Sequence, residues 1–191
     1  MAASMRLLVV TQFRLIAAGA AALVLACAGT AFAEWPFGRA DSGVRMQPGI
    51  GGVCEACDLS GRILVGVRMT GANFNRSDFS HAMLTRADAS GSAFEGANFS
   101  DADLALAKLV DANCTRAQFT RATLVQANAR GADFTRAEFD HADVTSMRFD
   151  DANLSGADLR ETRGLTQAQL SNACGDARTR LPRGLRVPRC G

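Results

Sequence analysis

From Leu59 to Leu159 every fifth residue is apolar, twenty-one times without a slip. An amphipathic helix repeats near 3.6 residues and a half-buried strand near 2, so a strict period of five fits neither. Alanine stands two residues before the apolar one in 15 of the 21 units, and Asp or Asn stands directly before it in 12. A fixed period sustained this long marks a solenoid, whose units are too small to bury their own apolar side and must stack on one another.

Within the array, Ala97-Asn98-Phe99-Ser100, Gly131-Ala132-Asp133-Phe134-Thr135-Arg136 and Ala157-Asp158-Leu159 resemble the pentapeptide-repeat family, over residues 57–161. The resemblance implies an all-β fold: a right-handed quadrilateral β-helix with four pentapeptides to a coil, the central residue and the one two before it pointing inward. Stacking every twentieth residue tests that number. One column then collects Leu59, Phe79, Phe99, Phe119, Phe139 and Leu159, a second Leu64, Leu84, Leu104, Leu124 and Val144, and another Phe74, Phe94, Cys114, Phe134 and Leu154. The remaining column is mixed, with Met69, Ala89, Leu109, Ala129 and Phe149. At the strand spacing of ~4.8 Å, about five coils make a tube roughly 24 Å long.

The expected organisation is a signal peptide over 1–33, an irregular leader over 34–53, the β-helix over 54–161, and a C-terminal helix cap with a pinned tail over 162–191. Arg6 and Arg14 precede the apolar run Leu15 to Ala28, and Ala31-Phe32-Ala33 offers a signal peptidase site. Export to the periplasm, or secretion, follows as the expectation. The alternative is a lipoprotein anchored at Cys27, the one route by which a membrane would hold the chain. At the other end, Thr166 and Gln169 form a capping box for a short helix that Gly175 would end, placing Leu165, Leu170 and Ala173 on the last coil.

With Cys27 removed and Cys114 in the core, four cysteines admit three pairings. Cys54 and Cys57 start the tube while Cys174 and Cys190 follow its end, so crossed pairs would have to reach roughly 24 Å, far beyond disulfide range. The expected bonds are Cys54–Cys57 and Cys174–Cys190. The C-x-x-C spacing also suits redox pairs and half a zinc site, but no second Cys or His pair lies near it.

Without the signal peptide the chain has 19 basic and 19 acidic residues, a balance that offers no long-range attraction for nucleic acid or for acidic lipid. No catalytic constellation, cofactor motif, metal set or small-molecule site emerges: His81 and His141 fall three coils apart, and the carboxylates sit at turn positions. One outward side breaks the polar rule with Ile63, Val65, Met83, Ala105, Leu106 and Val125, the expected contact for an envelope protein or for a second copy in a homodimer. The expected function is therefore a non-enzymatic periplasmic binding or scaffolding module. The alternative is that of the family's best-known members, which mimic DNA and act on DNA gyrase as inhibitors or protectors. That role implies an acidic, cytoplasmic tube.

Overall fold

In the computed structural model, which describes residues 52–191, the backbone pairs with itself at a separation of twenty. Parallel bridges join Asp58 to Asp78, Ile63 to Met83, Arg68 to Asp88 and Asn73 to Ala93, and the series runs from Val53↔Asn73 to Asp143↔Arg163. Each bridge is one residue long because a turn follows at once. Leu59 N–H donates to the Asp78 carbonyl at 2.7 Å and Asp78 N–H to that of Cys57 at 2.9 Å, whereas the Arg62 amide turns back to the Leu59 carbonyl at 3.3 Å. Four such corners return the chain to its starting side, one coil further on. The expected signal peptide, its cleavage site, the Cys27 alternative and residues 34–51 of the leader lie outside the described residues.

The corners explain the polar residue before each apolar one. Asn73, Asp78, Asn98 and Asp133 each accept, through Oδ1, the amide two residues ahead, at 3.0, 2.9, 3.0 and 2.8 Å. Such a side chain fixes the turn and satisfies a donor that the coil leaves over. Two residues after each central position from Leu59 to Leu154 the backbone enters the left-handed region. Gly61 and Gly66 adopt it freely, but so do Arg76, His81, Asp101, Leu106 and Arg121, at φ of 57° to 61°. An L-residue pays about 1–2 kcal/mol for that conformation, so the stacked core holds these corners against their own preference.

The core fills the tube's axis. Phe79, Phe99, Phe119 and Phe139 stack in one column with centroids 4.9, 5.1 and 4.9 Å apart and planes within 12°. Phe94 meets Phe99 edge-on from the adjoining column at 5.2 Å. Alanines two residues before each centre are buried, and where the mixed column is thin, at Ala129, a buried Met147 replaces alanine in the next coil.

Beyond Arg163 the register lengthens, with Asn153 bridging Cys174 and Asp158 bridging Arg180. The extra residues form α1 (Gln167–Leu170), capped by Thr166 with a reciprocal bond from Gln169. Gln169 Nε2 also donates to the Val144 and Met147 carbonyls at 2.8 and 2.9 Å, closing acceptors at the tube's end. Leu170 and Ala173 are buried on that end, with Leu165 packed beside them. Gly175 does not end the helix, which stops at Leu170. Its lack of a side chain serves packing instead, because a Cβ there would lie 2.7 Å from both Thr179 Oγ1 and Val187 Cγ1.

Candidate functional site

With the interior packed, what the protein offers to other molecules is its outer surface. The side carrying the expected contact residues places Ile63 beside Met83 as bridge partners, with Val65 two residues further along the same side. Ile63, Val65 and Met83 are 51%, 48% and 45% exposed. Leu106, at 39%, occupies a corner two coils below Gly66 with Arg86 between them in the stack, so it stands apart from the other three. Val125 and Ala105 are only partly exposed; both lie mid-stack, with a further coil below them. Val53, 80% exposed at the start of the ladder, belongs to the described apolar surface and was not anticipated, since it precedes the first repeat read from the sequence.

The other sides carry charged ladders. Asp101 accepts two bonds from Arg121, at 2.6 and 2.7 Å. Those bonds hold the Asp101 carboxyl below its ordinary range, against an opposing effect of desolvation, and raise the Arg121 guanidinium. Glu95 pairs with Arg116 at 3.1 Å, Asp88 with Lys108 at 3.6 Å, Glu55 with Arg76, and Arg130 with Asp151 at 3.3 Å. His81 stands above Asp101, and His141 Nδ1 lies 3.5 Å from Asp140. Beside Arg130 and Asp151, Gly131, Val110 and Asp111 line a notch of about 360 Å³, with the Asp111 carboxylate occupying the space that a Cβ at Gly131 would need. It is shallow and open, unlike the enclosed apolar sites that hold small molecules.

Cys54 is bonded to Cys57, with Cα atoms 5.4 Å apart, and Cys174 to Cys190, at 4.8 Å. Cys114 is free and fully buried in the phenylalanine column. Burial, with a smaller push from Asp133, raises its thiol far above the ordinary value, which removes it as a nucleophile. Two further side chains escaped sequence reading. Ser77 and Ser92 occupy alanine positions, buried, and each Oγ donates to a carbonyl of the preceding coil at 2.6 Å.

The pentapeptide repeats family model matches in eight copies, over residues 54–88, 84–113, 112–146 and 137–174. The chain belongs to the pentapeptide repeat family. Membership implies the right-handed quadrilateral β-helix, and members are generally structural or binding modules rather than enzymes. Among solved structures, the chain is similar to the pentapeptide repeat protein Rfr23 from the cyanobacterium Cyanothece 51142, at 24% identity and a TM-score of 0.43, covering 68% of this chain and 90% of that one. It is also similar to a pentapeptide repeat protein of the Arabidopsis thaliana thylakoid lumen, at 28% identity and TM-score 0.31, covering 49% and 69%. A third likeness, at 17% identity and TM-score 0.27 over 65% and 82%, is to QnrB1, described as a plasmid-mediated fluoroquinolone resistance protein. No match was found among curated proteins.

Proposed function

We propose that this pentapeptide repeat protein is a non-enzymatic binding or scaffolding module of the bacterial periplasm. On this reading residues 1–33 direct export, and the tube presents the Ile63, Val65 and Met83 side to an envelope protein or to a second copy of itself. The observation that carries it is the patch: three large apolar side chains, each close to half exposed, adjoin on one side of a tube whose interior is already full. Contiguous exposed apolar surface of this kind favours protein contact. The two disulfides suit an oxidising compartment.

The test is a photo-crosslinking residue at Met83, compared with one at Arg121 on another side, after fractionation of expressing cells. A periplasmic protein that crosslinks to one defined species from position 83 alone supports the module. Cytoplasmic retention, or equal crosslinking from both positions, rejects it.

The gyrase reading has a separate prediction, inhibition or protection of DNA supercoiling by purified protein. Against it, the described residues hold as many basic as acidic side chains, 17 of each, so taken together they lack the strong net negative charge of DNA.

A further inference from the structure

Neutrality over the described residues conceals a separation of charge. Residues 52–159 carry 15 acids and 10 bases, whereas residues 160–191 carry seven arginines against Glu161 and Asp176. Three of those arginines are occupied: Arg160 and Arg180 reach Asp158 at 2.7 and 3.5 Å, and Arg178 reaches Asp176 at 3.1 Å. The other four, Arg163, Arg183, Arg186 and Arg189, are exposed and form no ion pair among the described residues.

These arginines do not sit on a loose tail. From Arg180 to Arg189 they recur every third residue, and between them Leu181, Leu185 and Val187 pack against the core. The Arg186 carbonyl accepts Gln167 Nε2 at 2.9 Å and its amide donates to Gln167 Oε1 at 3.0 Å, tying the strap to α1. Arg189 bridges Gly175, and Cys190 is bonded to Cys174. The strap thus meets the last coil at Arg180, at α1 and beside Cys174, across the closed end of the tube. Guanidinium groups held on an ordered backbone lose less freedom on binding, and their planar donors match phosphate oxygens in pairs.

We propose that this arginine-bearing cap docks on an anionic phospholipid surface. A closed end studded with arginines suits a planar array of phosphates. It lacks what single-stranded nucleic acid needs, since no aromatic residue follows Phe149 to stack a base. The inference stands on the cap alone, independently of the apolar side and of any lipid on Cys27.

The experiment is co-sedimentation of the full chain with phosphatidylcholine vesicles, pure or containing about 30% phosphatidylglycerol, the anionic fraction being the source of the attraction. The ratio of the two affinities is the readout, so that uncharged contacts of residues 1–51 cancel. The ratio should exceed one clearly and collapse near 1 M salt, where the screening length falls to about 3 Å. Combined Arg183→Gln, Arg186→Gln and Arg189→Gln should lower it about a hundredfold, at about fivefold per arginine. Arg68→Gln with Arg86→Gln, on the body of the tube, should leave it unchanged. Should the triple variant lose its native circular dichroism, Arg183→Glu alone is read, at an exposed position whose backbone forms no hydrogen bond among the described residues. Equal binding to both vesicles, no effect of the cap variant, an equal effect of the body variant, or tighter binding to a short DNA duplex at the same salt would each overturn the proposal.

Discussion

Ser77 Oγ stands between two residues of the preceding coil, donating to the Cys54 carbonyl at 2.6 Å and accepting the Cys57 amide at 3.1 Å. It replaces the direct amide-to-carbonyl bond that closes the other corners, at the corner that the Cys54–Cys57 bond spans. Ser92 reaches Met69 and Ala72 in the same way, but there the Ala72 amide keeps its own bond to the Met69 carbonyl at 3.3 Å.

The two serines should therefore differ. Ser77→Ala leaves a buried donor and acceptor apart and is expected to cost about 1–3 kcal/mol. Ser92→Ala is expected to cost less than half as much, because its corner closes without the hydroxyl. Urea denaturation of the two variants compares them, and equal midpoints would refute the distinction.

Glycine corners divide in the same testable way. At Gly71 a Cβ meets nothing within 4 Å, so Gly71→Ala carries only the left-handed cost, about 1 kcal/mol. At Gly164 a Cβ would lie 2.8 Å from the Thr145 Cα and 2.9 Å from its Cβ. Gly164→Ala should lower stability by more than about 2 kcal/mol, since the close approach involves the preceding coil's backbone. Thermal melting of both variants checks the order.

Asp176 gives the cap an acid limit. Desolvation acts to raise its carboxyl, but the amides of Arg178 and Gly156 and the Arg178 guanidinium outweigh it and bring it from 3.8 down to about 2. A group lowered in the folded state contributes fully above its unfolded value and loses that contribution as pH falls towards the folded one. The stability advantage over Asp176→Asn should hold above about pH 4, be mostly lost by about pH 2 and vanish below it. Urea midpoints across that range measure it, and a constant gap would contradict the assignment.

Cys114 should be silent in the folded protein. At neutral pH a thiol reagent is expected to leave it unmodified until the tube unfolds, because the thiol is sealed between coils and raised by burial. Mass spectrometry after labelling with and without denaturant gives the answer.

Much of the fold was readable because one constraint repeats. Phe99 and Ala97 announce themselves as inward through neighbours twenty residues away, and the Asx residues through their place before each corner. Non-glycine residues in the left-handed region were not readable, since Arg76 and His81 have no intrinsic liking for it and are held there by the stack. Ser77 and Ser92 were hidden because a serine at an alanine position looks like mere variation. The degree of exposure of Val125 was hidden for a related reason: exposure of an outward residue depends on what the coils above and below place beside it. The arginine strap was visible as composition, but its attachment to α1 through Gln167 joins residues nineteen apart with no common period.

The twenty-residue register also governs how such a protein can change size. Removing or duplicating one whole coil leaves every phenylalanine over a phenylalanine column and every corner over a corner, whereas a change of a single residue turns all later side chains to the wrong side. Length is thus adjustable only in steps of about 4.8 Å. The span between the Ile63 side near one end and the arginines at the other is a graduated dimension, one that inheritance can set by counting coils without redesigning either end.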